Sequence, residues 1–94
     1  MNFEFDPKKA AANLKKHGVS FTEAMTVFND LFAQTFPDEF HSDEEDRWIT
    51  IGLSSRRRLL FVSHLESEGT IRLIGARTVV PFERDAYEEL KDRK

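Results

Sequence analysis

Apolar and polar positions alternate most clearly between Arg47 and Arg77. Arg-Trp-Ile-Thr-Ile-Gly-Leu (47–53), Leu-Leu-Phe-Val-Ser-His-Leu (59–65) and Thr-Ile-Arg-Leu-Ile-Gly-Ala-Arg (70–77) are short runs rich in β-branched and aromatic residues. The links between them are short, polar or Gly-containing, which predicts an antiparallel meander and leaves no room for a helical crossover. The middle run is apolar on both alternating faces, so it must be central and covered on both sides. Turns with two central residues at Ser54–Arg57 and Glu66–Gly69 would set Arg47 opposite His64, His64 opposite Ile71, and Arg58 beside Arg77. These residues would share a face with Ile49, Ile51, Val62 and Leu73, leaving Arg72 on the other with Trp48, Phe61 and Ile74.

Upstream, Phe3–Phe5 reads as a short edge strand. Asp6-Pro7 opens a helix with an N-cap and a proline at its first position, Ala10, Ala11 and Leu14 form a narrow stripe, and Gly18 closes it. Ser20-Phe-Thr-Glu23 is a capping-box pattern for a second helix, with Ala24, Val27, Phe28 and Leu31 at helical spacing beside Phe21 and Met25. Phe32–Phe36 predicts a further strand, and 37–46 a charged loop too polar to bury. After Val79-Val80-Pro81 a last helix carries Phe82, Ala86 and Leu90 as its stripe. The predicted order is β-α-α-β-β-β-β-α: a single α+β domain over 1–94, one antiparallel-rich sheet with helices packed on it.

Composition changes this picture little. Nine Phe residues concentrate burial in few large side chains, and the absence of Cys removes disulfide and zinc-knuckle frameworks. No apolar run approaches the roughly 18 residues of a membrane span, and the start lacks a basic-then-apolar signal, so a soluble, cytoplasmic protein is expected. A net charge of −3 argues against nucleic acid as the partner, although six carboxylates sit within 38–46 and the lysines and arginines lie elsewhere; direct DNA binding is not expected without an antitoxin. His41 beside Asp38, Asp43 and Glu44 has no metal-site spacing, and no metal or cofactor is expected.

Phe-Glu-Phe-Asp-Pro-Lys-Lys-Ala (3–10), Asn-Leu-Lys-Lys-His-Gly-Val (13–19), Phe-Thr-Glu-Ala (21–24), Val-Phe-Asn-Asp (27–30), Asp-Arg-Trp-Ile-Thr-Ile-Gly-Leu-Ser (46–54) and Ile-Arg-Leu-Ile-Gly-Ala-Arg (71–77) resemble the BrnT toxin family. The resemblance implies a RelE-like fold and endoribonuclease activity that arrests translation. It also implies a type II antitoxin partner with a ribbon-helix-helix DNA-binding domain. The chain departs from the usual pattern at Phe5 (commonly Trp), Arg57 (commonly Gly) and Gly75 (commonly Ser).

Metal-independent RNA cleavage needs a base for the 2′-OH, cations for the phosphorane oxygens and an acid for the leaving oxygen. Arg77 is the first candidate, with pairing to Glu83 as its competing structural role. His64 titrates in the useful range. Arg47 and Arg72 complete the catalytic set, each with an ion pair as the alternative. Lys16, His17, Arg56, Arg57, Arg58 and Tyr87 are candidates for RNA contact, set against dipole-favoured helix-end residues, a solvated hairpin tip and a core-edge ring. The alternative function is a catalytically inactive binding module, a co-repressor acting through a DNA-binding antitoxin.

Overall fold

A computed structural model describes residues 1–41 and 46–93. The strands β1 (Asn2–Glu4), β2 (Gln34–Pro37), β3 (Arg47–Leu53), β4 (Leu59–Ser67) and β5 (Thr70–Thr78) form one sheet in the order β1-β5-β4-β3-β2. The helices are α1 (Pro7–His17), α2 (Phe21–Met25) and α3 (Pro81–Asp92), so the α+β order is the expected one. β2 through β5 pair antiparallel, whereas β1 lies parallel to β5. The meander links are too short for anything but antiparallel pairing. β1 reaches β5 through most of the chain, so no such limit applies to it.

The helix ends are written locally. Asp6 accepts from the Lys8 amide, and Gly18 closes α1 at φ +69°, a left-handed position that glycine takes without strain. Ser20 caps α2 by accepting from the Glu23 amide. The Glu23 side chain does not complete the box: it turns inward to Ser54 and Arg58. α2 tightens into a 3-10 turn over Thr26–Asn29, so the predicted stripe stops short, and Leu31 is 91% exposed. Gly52 lies where this turn crosses β3, and a Cβ there would lie 3.1 Å from the Val27 carbonyl and the Ala33 side chain, so those neighbours would have to give way.

The register differs from the two-residue-turn expectation. Arg57 adopts φ +64° and lengthens the first turn, so Arg47 pairs with Leu65 and Trp48 with His64. In the second link Ser67 pairs with Thr70, and a bulge at Ser63/His64 then sets Ser63 against Gly75 and Phe61 against Arg77. One added residue in the first hairpin exchanges faces, and the bulge does so again along β5. His64 and Arg77 therefore lie on opposite faces of the sheet, and Arg77 neighbours Phe61 rather than Arg58. Arg47, Leu65 and Arg72 form one row, which places Arg72 with Arg47 and away from Trp48.

Each face has its own core. Leu60, Val62, Ile71, Leu73 and Ala76 pack against Val19, Phe21, Ala24 and Val27 under α1 and α2. Ile49, Ile51 and Leu59 pack against Tyr87 of α3, with Phe32, Phe61 and Val79 at the margin. Tyr87, not the Phe82–Ala86–Leu90 stripe, anchors α3: Phe82 is 81% exposed. Asp38, placed in the polar loop by its sequence, is buried.

Candidate active site

Two buried polar residues, Asn13 and Glu23, and the half-buried Asp30 hold the framework, bonding groups on neighbouring elements. Asn13 donates to the Val19 and Ala76 carbonyls and accepts from the Ala76 amide, bonding the β5 edge beyond the reach of β1. Glu23 takes Ser54 and a forked Arg58, which also donates to the Gly18 carbonyl. The Arg58 hydrogen bond holds the Glu23 carboxyl below the usual carboxylate range despite burial. Asp30 accepts from the Tyr87 hydroxyl at 2.6 Å and from the amides of Phe32 and Leu53. Burial raises the Asp30 carboxyl, but these donors outweigh it and leave it lowered, while burial and Asp30 together push the Tyr87 phenol up.

On the α3 side of the sheet, Tyr87 fixes one flank of the helix and leaves a groove of about 570 Å³ along the other. Its wall is largely apolar, built from Phe36, Ile49, Ile51, Phe61 and Ala86, with Phe40 and Phe82 at the mouth. Phe40 is 95% exposed. Two guanidinium groups enter this apolar wall. Arg77 lies over the Phe61 ring, 3.9 Å from its centroid, and donates both terminal nitrogens to Glu83 at 2.9 Å. Glu83 also accepts from the Val80 amide at the start of α3, so helix capping and guanidinium orientation share one carboxylate. Burial raises the Glu83 carboxyl, and the bonds from Arg77 and Val80 more than reverse this. Arg47 Nε donates to Asp38 at 3.1 Å, and Asp38 also receives the Phe40 amide. The groove thus offers two planar cations, two carboxylates and aromatic faces, a set suited to a phosphate with an unstacked base beside it.

The other predicted residues lie elsewhere. His64 is 0% exposed, its Nε2 2.8 Å from the Thr50 hydroxyl, its ring edge-on to Phe28 and its Nδ1 without a partner. Burial lowers its pKa to about 4. An acid–base role needs a ring that reaches substrate, and this ring is enclosed beneath α2 and the 3-10 turn. Arg72 pairs with Glu4 at the β1 edge. Arg58 is committed to Glu23, with Arg56 3.8 Å from the same carboxylate. Tyr87 is buried, its hydroxyl tied to Asp30. Lys16 and His17 are exposed at the end of α1, across the sheet from the groove. Arg57 is exposed at the hairpin tip. Of the loop grouping around His41, Asp43 and Glu44 lie outside the described residues. Sequence reasoning missed Asn13, Glu23 and Asp30 as organisers. The one available signal was a polar residue on an otherwise packed helix face.

The family described as "Ribonuclease toxin, BrnT, of type II toxin-antitoxin system" matches this chain over residues 5–83. The chain belongs to this family. Membership makes it a ribonuclease toxin of a type II toxin–antitoxin pair, with RNA as substrate and an antitoxin as partner. The fold agrees with the 1.1 Å crystal structure of the Brucella abortus ribonuclease toxin, BrnT. The TM-score is 0.67 at 23% identity, covering 85% of this chain and 97% of that one. No curated protein matches the chain. Among the described residues, no helix is long and apolar enough to cross a membrane.

Proposed function

We propose that this BrnT-family chain cleaves RNA in the groove between α3 and the sheet, by metal-independent attack of a 2′-OH on the adjacent phosphorus. The observation that carries the reading is Arg77, held flat over Phe61 and forked onto Glu83 in a concavity that also receives Arg47. A phosphate entering the groove takes donors that Glu83 and Asp38 hold in the free protein, because a guanidinium fork fits either anion. Glu83, freed and ionised, then stands beside the scissile phosphate and accepts the 2′-OH proton, while Arg77 and Arg47 neutralise the phosphorane oxygens. The P–O5′ bond breaks, and the leaving 5′-oxygen takes a proton from solvent water, giving a 2′,3′-cyclic phosphate and a 5′-hydroxyl. Cleavage of messenger RNA in the cytoplasm would arrest translation. A ribbon-helix-helix antitoxin covering the groove would neutralise the toxin.

Arg77→Ala is expected to abolish growth arrest and RNA fragmentation while the circular dichroism and melting of the domain stay near wild type. A folded Arg77→Ala chain of wild-type toxicity would remove the groove from the mechanism. Arg72→Ala, which loses only an exposed pair with Glu4, is expected to stay toxic.

The exposed Phe40 and Phe82 favour a second reading, in which the groove docks the antitoxin and the chain is an inactive co-repressor module. Induced expression separates the two, since healthy cells containing a tight toxin–antitoxin complex support the module.

A further inference from the structure

α3 separates two concavities. Glu83 lines the groove already described, and its neighbour Arg84 lines a cleft of about 320 Å³ on the other flank of the helix. The charge of this cleft is unlike that of the whole chain. Arg57, Arg58, Arg84 and Lys91 converge on it with Glu88 as the one carboxylate of its lining, in a protein whose net charge is −3. Arg58 is committed to Glu23, but among the described residues neither Arg57 nor Arg84 makes an ion pair. Lys91 lines the cleft, with its ammonium over the Phe32 ring at 5.4 Å and its charge helping to lower the Asp30 carboxyl. Arg57 is held at φ +64°, a conformation that costs a non-glycine residue energy and here presents the side chain at the hairpin tip.

We infer that this cleft is a second subsite that grips the phosphodiester backbone of a single RNA strand away from the scissile bond. The inference rests on the nuclease reading above, which puts the reacting phosphate beside Arg77. A helix with its side chains is about 10 Å across, and a stacked strand advances about 3.4 Å along its axis per nucleotide, so a stacked strand reaching from groove to cleft spans roughly three nucleotides. Cations contacting phosphate without touching bases add affinity but no sequence preference. The cleft therefore makes the enzyme favour long over very short RNA, whatever base preference the aromatic groove imposes.

The test uses the full chain, a non-cleavable 2′-O-methyl RNA twelve-mer for binding, and a cleavable twelve-mer and dinucleotide for activity. A triple variant, Arg57→Gly, Arg84→Gln and Lys91→Gln, retains the turn and removes the three cations. Its affinity for the twelve-mer is expected to fall by about ten-fold or more, with the slope of log K against log salt shallower by roughly 2. The kcat/KM advantage of twelve-mer over dinucleotide is expected to collapse with it. Glu88→Gln is expected to tighten twelve-mer binding a few-fold. Unchanged affinity and salt slope in a triple variant that melts normally would overturn the subsite, as would a cleft that binds an acidic peptide and not RNA. If the wild type binds the twelve-mer through these cations but cleaves nothing, the cleft stands and the nuclease reading fails. If it cleaves and the triple variant keeps its length preference, only the cleft fails.

Discussion

Asn13 shows how much one side chain can decide. It bonds both polar groups of the Ala76 peptide and the Val19 carbonyl, all within the buried layer under α1. Asn13→Ala leaves those groups unpaired and is expected to lower unfolding free energy by about 2–4 kcal/mol, read from urea denaturation. A loss under about 1 kcal/mol would show that the β5 edge is satisfied some other way. His64 gives a pH signature. Its pKa is about 4 in the folded chain against 6.5 for an unperturbed histidine, so the unfolded chain binds the extra proton between those values. Stability is expected to be level above about pH 6.5 and to decline as pH drops toward 4, by roughly 3 kcal/mol from this group. His64→Leu should flatten that part of the curve in chemical denaturation followed against pH.

At the scale of elements, the β3–β4 hairpin carries the most consequential local choice. Arg57 sits in the left-handed region, a conformation that costs a non-glycine residue about 1–2 kcal/mol. Arg57→Gly is expected to raise stability by about 1 kcal/mol with the sheet register unchanged, measurable as a shift in the denaturation midpoint. A drop instead would mean the arginine side chain supports the turn. The same extra turn residue is why the sequence expectation placed Arg47 opposite His64. Both hairpin strands are apolar on each face, so alternation along β4 gives no preference between registers one residue apart. The Ser63/His64 bulge left no mark in the pattern either. The docking face of α3 differs from its sequence pattern for a related reason. Its helical spacing supports a Phe82–Ala86–Leu90 stripe, but docking is fixed by the Tyr87–Asp30 bond, and Phe82 is left at the groove mouth.

For the molecule as a whole, the sheet divides labour. One face, with α1, α2 and the enclosed His64, is structural. The other, partly covered by α3, holds the groove and the basic cleft. If Glu83 is the base, kcat/KM for RNA cleavage is expected to hold through the mildly acidic range and to fall only at still lower pH, since in the free protein the bonds from Arg77 and the Val80 amide outweigh burial and hold that carboxyl lower than usual. An acidic limb centred near 6.5 in kcat/KM would point to a histidine base and count against Glu83. The Glu83–Arg77 pairing was legible in sequence as the competing role of Arg77. The sequence also puts Arg47 and Arg77 on one face, as the structure does, but through a register that adds His64 to them; that Glu83 joins them in one concavity and His64 does not is decided by the fold.

By itself the chain's order of residues settled what depends on neighbours a few positions apart. The Asp6-Pro7 start, the Gly18 stop, the Ser20 cap, the three-run meander and the order of elements are all of this kind. Which side chains share a face was settled only by the folded structure. Strand periodicity is two, so one left-handed arginine and one bulge are enough to carry His64 into the core and Arg77 to the opposite side. Beside these irregularities, Glu23 bonds Ser54 of the first turn and Asn13 bonds Ala76 past the bulge, contacts that span about 30 and 60 residues of chain.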